Sequence, residues 1–221
     1  METFTDRQQE IIDQALQLIS EQGIEKLTYR NLAGRLGISE PAFYRHFSSK
    51  TEIILGILVY FDGLRQELFE RIRSSSADSL SAIEAVFLKH FELFEKNPAL
   101  AMILFPDEIR QNRKELAAKV LDMMKRGQEN ITAIIAAGIK QGEIRPDVDK
   151  EQLALVITGT LRLLVTRWRL EGYSDDLQQQ GRRLWQALAP LLRNADPDTK
   201  PVSQQTPESN RESSQIWENQ A

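Results

Sequence analysis

The sequence predicts an all-α chain: an N-terminal helix-turn-helix head of three helices, a long linking helix and a C-terminal helical bundle body. Two observations carry that expectation. Apolar residues recur at spacings of three and four along most of the chain, and no stretch alternates with period two for the length of a strand. Between the periodic stretches, Ser, Thr and Asp stand where helices can be capped, and Gly or Pro where they must stop.

The first helix runs from about Asp6 to Gln22, with Ile12, Ala15, Leu16 and Ile19 on one face. Thr5 and Gln8 form a capping box at its start, and Gly23 ends it. Thr28 caps a short second helix, Tyr29 to Leu36, closed by Gly37. Ser39 caps a third, Glu40 to His46, with Pro41 in the first turn where a missing N–H costs little. Ser49 and Glu52 open the linking helix, which reaches about Arg73 and carries Ile54, Ile57, Phe61, Leu64 and Leu68 as a stripe. The polar run Ser74 to Ser79 then separates head from body. The expected divisions are a head at 1–50, the linking helix at 51–73, a body at 74–193 and a tail at 194–221.

Body helices are expected over Leu80 to Lys96, Ala99 to Leu104, about Glu108 or Arg113 to Lys140, Lys150 to Glu171, and Ser174 to about Arg193. Asn97-Pro98, Phe105-Pro106, Gly142 and Gly172 interrupt them. Asp149 caps one, and Asp175 and Asp176 suit the positive end of the last. From Asn194 onward the chain is rich in Pro, Ser, Gln, Asn and Glu, a composition expected to be disordered. Ile216 and Trp217 are read as an incidental feature of that tail rather than a docking peptide.

With 41% hydrophobic and 27% charged residues in 221, the chain has the makeup of a globular protein with a real core. It contains no cysteine, which removes disulfides, thiolate metal sites and thiol nucleophiles. No secretory signal or membrane-length apolar run is found, so a cytoplasmic protein without membrane contact is expected. The two histidines are isolated, and no GxxxxGK[ST], HExxH or GxSxG occurs. Neither an enzyme nor a metal or cofactor site is expected.

The net charge of −4 argues against a nucleic-acid partner until its distribution is examined. From Lys26 to Lys50, Lys26, Arg30, Arg35, Arg45 and Lys50 face Glu40 alone, a local net of +4. That island coincides with TYRNLAGRLGISEPAFYRHF, in which Leu32, Leu36, Ile38 and Phe43 share a small core and Ala33 admits a close helix crossing. This is a helix-turn-helix pattern, and its projecting second helix fits a major groove. Tyr44, Arg45 and Lys50 flank that helix as candidate phosphate contacts, while Thr28 and Ser39 offer hydroxyls and helix N-termini.

The combination of Gly23, Thr28, Leu32-Ala33, Gly37-Ile38-Ser39, Phe43-Tyr44-Arg45-His46-Phe47 and Lys50 resembles the TetR/AcrR family of regulators over roughly the first fifty to sixty residues. The resemblance implies phosphate contacts by Thr28, Tyr44 and Lys50 and base reading around Ser39 to Tyr44. It also implies a homodimer whose body binds a small molecule and repositions the heads. Pro41 and Ala42 stand where many relatives carry a small residue such as Gly, so base preference does not transfer. The candidate DNA-facing set is Thr28, Arg30, Ser39, Glu40, Pro41, Ala42, Tyr44, Arg45, His46 and Lys50. Glu40 either accepts from cytosine or complements the helix dipole. Phe43 and Phe47 are read as core anchors, and His46 is not read as a metal ligand.

In the body, Phe87, His90, Phe91, Phe94, Met102, Phe105, Met123 and Met124 are candidates for lining an effector cavity, against the alternative of ordinary core. Leu153, Val156, Thr160, Leu164, Trp168, Leu184, Trp185 and Leu188 are candidates for a twofold four-helix interface. Arg162, Arg167 and Arg169 are read as its polar rim in preference to an anion site. The expected function is a sequence-specific transcriptional regulator, a repressor released from a palindromic operator by an unidentified small molecule. The alternatives are a DNA-binding factor without an inducer and a helical interaction scaffold.

Overall fold

The computed structural model describes residues 4–105 and 113–194. Within them lie α1 (Asp6–Gln22), α2 (Tyr29–Leu36), α3 (Glu40–Tyr44), α4 (Lys50–Ser75), α5 (Ser79–Lys96), α6 (Pro98–Leu104), α7 (Lys114–Gln141), α8 (Lys150–Leu170) and α9 (Leu177–Leu192). No β-strand occurs among the described residues; one isolated antiparallel bridge joins Ile144 and Arg193. The expected tail, with Ile216 and Trp217, lies outside the described residues except for Asn194, which is tied down: its backbone N–H donates to Glu143 O at 2.9 Å.

Capping sets the local boundaries much as the sequence suggests. The Thr5–Gln8 capping box is complete, and the side chains of Thr28, Ser39, Ser49 and Asp149 each accept a backbone N–H in the first turn of their helices. The third helix ends at Tyr44, two residues short of the expected His46, and three further differences have a visible local cause. A single 3-10 turn, Ile24–Lys26, separates α1 from α2 and buries Leu27. The linking helix continues to Ser75, because Ser74 and Ser75 return their hydroxyls to Arg71 O at 2.9 and 2.8 Å instead of breaking the ladder. The last helix starts at Leu177 rather than Ser174, because Gly172 and Tyr173 both take positive φ, 72° and 63°, and turn the chain first. The Trp168 indole N–H donates to Asp175 O at 2.9 Å and holds that turn against α8.

In the head, Ile11, Ile12, Ile19, Leu32, Phe43, Phe47 and Ile54 are buried together. Gly56 of α4 admits the Phe47 ring, which comes within 3.0 Å of where a Cβ would stand. The body packs α7 along α8 and α5 along α9, with α4 lying on both α5 and α7, while α6 bridges back to α1. At the α5–α9 crossing Phe91 stacks edge-on to Phe87, with ring centroids 4.9 Å apart, and lies against Gly181.

That crossing yields a test. A Cβ at position 181 would fall 2.3 Å from the Phe91 ring, so Gly181→Ala is expected to lower the unfolding free energy by about 1–3 kcal/mol through overpacking. Nothing stands within 4 Å of a Cβ at Gly159, where the same change is expected to be neutral or stabilising by up to about 1 kcal/mol. Urea unfolding of the two variants checks this, and equal effects would remove the packing account.

Candidate nucleic-acid interface and ligand cavity

The α2–α3 unit is braced from behind. Tyr29, on the first turn of α2, packs edge-on to Phe43 at 5.3 Å between centroids and stacks against Tyr44 at 4.3 Å. Tyr44 is thereby held on the surface, 46% exposed, with its ring backed by Tyr29. The Tyr29 hydroxyl is buried without a hydrogen-bond partner among the described residues, and burial raises its pKa. Sequence reasoning passed over Tyr29; an aromatic three places before the buried helix position Leu32 was its only signal.

The joint behind α3 is locked. The Glu52 carboxylate accepts from the Ser48 N–H at 2.5 Å and its hydroxyl at 2.7 Å, while Ser49 Oγ accepts from the Glu52 N–H at 3.0 Å. Gln8 Nε2 reaches back to His46 O at 3.4 Å. Lys50 therefore stands at a fixed place beside α3, its ammonium donating one bond to Ile24 O at 2.9 Å. Burial lowers the Lys50 pKa, with nearby Glu25 opposing and Arg113 reinforcing the shift. An ammonium so desolvated, at a helix N-terminus, has donors left for a phosphate.

Thr28, Arg30, Ser39, Glu40, Pro41, Tyr44 and Arg45 are exposed on this face, while Ala42, His46 and Lys50 are half-buried. Phe43 and Phe47 are core, as their size suggests. One member of the basic island behaves otherwise. Arg35 pairs with Glu21 of α1 at 2.5 Å, and that contact lowers the Glu21 pKa. Its charge is thus balanced within the head, a pairing that sequence counting over Lys26 to Lys50 does not see.

In the body, a cavity of about 200 Å³ lies between α4, α5, α6, α7 and α8. Phe87, His90, Phe94, Phe105, Met123 and Met124 line it, but Phe91 and Met102 do not. Phe91 points to α9 and packs on Gly181, and Met102 packs against the core. The sequence missed the contribution of α4, namely Phe61, Arg65, Gln66 and Phe69, because that stripe reads as a linker's packing face. It also assigned Arg162 to an interface rim. Arg162 instead lines the cavity, its guanidinium 4.9 Å over the Phe105 ring. The half-exposed Met124 and Leu155 mark where the cavity meets solvent between α7 and α8.

His90 stands half-buried on the cavity wall, and its tautomer follows from its partners. One ring nitrogen, Nδ1, lies 2.7 Å from Val86 O and must carry the proton; Nε2 accepts from Arg65 Nε–H at 3.2 Å. Burial, aided by the Arg65 charge and opposed by the Val86 bond, pushes its pKa down to about 4.

The interface candidates divide. Leu164, Trp168 and Trp185 are buried inside the chain, with Trp168 against Tyr173 and Trp185 near Phe87, and offer little to a partner. Helix α8 carries apolar residues on more than one face, so periodicity alone cannot say which stripe faces outward. The outward stripe is Val156, Gly159, Leu163 and Leu170, three of whose side chains are 50–71% exposed, beside half-buried Thr160. On α9, Leu184 and Leu188 are half-buried and Leu191 is 63% exposed. Leu153 is half-buried against the core.

A braced helix-turn-helix joined by one helix to a cavity-bearing body defines the class of DNA-binding transcriptional regulators. Residues 11–57 match the profile of bacterial regulatory proteins, tetR family, and residues 61–190 match that of the YsiA-like protein C-terminal region. The chain belongs to the tetR family of bacterial regulatory proteins. It is 26% identical over 185 residues to the fatty acid metabolism regulator protein of Bacillus subtilis, covering 84% of this chain and 95% of that one. It is 28% identical over 180 residues to the HTH-type transcriptional repressor KstR2 of Mycobacterium tuberculosis, covering 80% and 88%. Among solved structures, the transcriptional regulator FadR from Bacillus subtilis in complex with stearoyl-CoA superposes with TM-score 0.69 at 26% identity, over 81% of this chain and 97% of that one. No helix among the described residues is long and apolar enough to cross a membrane.

The His90 imidazole gives stability a pH dependence. Folded His90 stays neutral to about pH 4, whereas an exposed imidazole titrates near 6.5, so between these values the unfolded chain binds a proton that the folded chain refuses. Stability is therefore lost as pH falls through that window, with a slope approaching about 1.4 kcal/mol per pH unit, and is flat above it. Urea unfolding of wild type and His90→Gln from pH 7 to 5 should show this part of the slope vanish in the variant.

Proposed function

We propose that the chain is a homodimeric repressor that binds a palindromic operator in the cytoplasm and leaves it when an amphipathic small molecule enters the body cavity. The observation that carries this reading is the course of α4. It begins at Lys50 beside α3 and passes Phe61, Arg65, Gln66 and Phe69 along the cavity wall, so one rigid rod spans both sites. From Lys50 to Arg65 the rod covers about 22 Å at 1.5 Å per residue. A ligand that wedges α4 from α7 tilts the rod and displaces the head; it releases DNA to the extent that it prefers the tilted state.

The neighbours support the ligand class. The FadR structure holds stearoyl-CoA, and this cavity is walled by phenylalanine, methionine and aliphatic side chains with a few polar groups, as suits an acyl chain. The proposed DNA contacts are phosphates for Thr28, Arg30, Tyr44, Arg45, His46 and Lys50, and bases for Ser39, Glu40, Pro41 and Ala42. The proposed dimer face is the stripe Val156, Thr160, Leu163 and Leu170 with Leu184, Leu188 and Leu191, of which Val156, Leu163, Leu170 and Leu191 are exposed apolar side chains. It reads as regulation, not catalysis.

Selection of bound duplexes from a random pool should return a palindrome with half-site centres about 34–36 Å apart or a multiple of that. Lys50→Ala should weaken every duplex alike and flatten the salt dependence by about one unit, while Glu40 or Ala42 variants should shift base preference. Uniform losses from both sets would remove the base-reading assignment, and failure to retard any duplex at low salt would favour a protein-binding scaffold. Leu163→Arg should convert the dimer to monomers in sedimentation; an unchanged mass would sink the proposed face. A duplex released by no acyl-CoA or other small molecule would instead mark a DNA-binding factor without an inducer.

A further inference from the structure

The body carries a buried cation that an ordinary hydrocarbon pocket has no use for. Among the described residues lining the cavity, Arg65 and Arg162 are the charged ones. Arg65 is the more enclosed, its side chain 13% exposed. Its Nε–H is committed to His90, but its terminal nitrogens make only long contacts, to Met123 O at 3.4 Å and to Asp62 Oδ1 at 3.6 Å.

Asp62 answers that charge only at a distance: its Oδ1, buried and without a hydrogen-bond partner among the described residues, faces Arg65 from 3.6 Å. Its other oxygen takes Lys119 Nζ at 2.9 Å and Arg126 Nη2, and Arg126 also holds Asp122 at 2.5 Å. Three cations thus share two carboxylates, and the member turned to the cavity is Arg65. Gly127 keeps room for it: a Cβ there would lie 2.6 Å from Arg65 Nη2. Beside it on the wall, Asn130 and Gln66 offer further polar groups and touch each other at 3.5 Å. A saturated chain packed here would expel water from the guanidinium and supply no acceptor, which leaves buried donors unsatisfied.

We infer that the effector carries an oxygen acceptor on its buried portion, held by Arg65, so that an oxygenated acyl chain is selected over a saturated one. This rests on the reading of the cavity as an effector site and names what the site discriminates. Neutral His90 acts as a positioning residue: with its proton on Nδ1, it holds the edge of the guanidinium by Nε, and with one N–H of each terminal nitrogen on Met123 O the second is left for the ligand.

The test is titration calorimetry of the full chain with saturated acyl-CoAs of six to sixteen carbons, their ω-carboxy counterparts and their (ω−1)-oxo counterparts. At one or more lengths an oxygenated probe should bind about ten- to a hundredfold tighter than the saturated probe of equal length, the range of one charge-assisted hydrogen bond. Preference for the carboxylate alone would assign the gain to charge balance, and equal preference for both to hydrogen bonding; either supports the inference. Arg65→Met should erase the preference. Gly127→Ala, which keeps the charge but displaces it, should narrow the preference with the helical circular dichroism unchanged, and this variant decides the matter if Arg65→Met fails to fold. Saturated probes that bind as tightly as oxygenated ones at every length, or a preference that survives in both variants, would overturn the inference and leave the effector reading standing. Binding by no probe would overturn both.

Discussion

The seam between α4 and α7 is the constraint on which the rest depends. Asp62, 3% exposed, is the buried carboxylate of α4, and it holds Lys119 and Arg126 of α7. Ion pairs removed from water gain little net stability, but breaking one by removing a partner costs about 3–5 kcal/mol, because a charge is left stranded. Such a seam therefore specifies position more than it adds strength. It sets where α4 lies on the body, hence where Lys50 stands at the other end of the rod.

At that other end, rigidity is built from local chemistry. The Ser48–Ser49–Glu52 lock, the Gln8–His46 bond and the Tyr29–Tyr44 stack leave α3 little freedom relative to α4. A head so braced moves as one piece, and motion of α4 is delivered to the recognition helix undiminished. The head also touches the body through α1 and α6, so a tilt of α4 must slide that contact as well. Two attachments, one ionic and one apolar, make a discrete pair of arrangements more natural than a continuous flex.

The head was legible because its determinants are local. Thr28, Gly37, Ser39 and Ser49 act within one turn of where they stand, and Phe43 and Phe47 are too large to leave in water. The body was legible only as helices. Which stripe of α8 turns outward depends on what α7 and α9 cover, and neither is visible from Leu164 or Trp168 themselves. Arg35 was counted as part of the basic face, since its partner Glu21 comes from another helix. Arg65 was overlooked for the converse reason: within α4 it reads as an ordinary surface cation at i+3 from Asp62, and only the approach of α5 and α7 buries it.

Those two arginines differ in a way that bears on how the protein divides its work. Arg35 meets a half-exposed carboxylate, and a pair of that kind contributes about 0–1 kcal/mol and weakens with salt. Arg65 is enclosed, with the Asp62 carboxylate beyond hydrogen-bond reach at 3.6 Å and a glycine left open to admit it. A chain under no demand but stability would satisfy such a site with an apolar side chain of the same length, which fills the space without a buried charge. Retaining a cation there, on the helix that runs from the head along the cavity, puts the proposed ligand contact and the support of the head on one element. Whatever completes the coordination of Arg65 also alters the balance of charge around Asp62, and thereby the contact that fixes the rod.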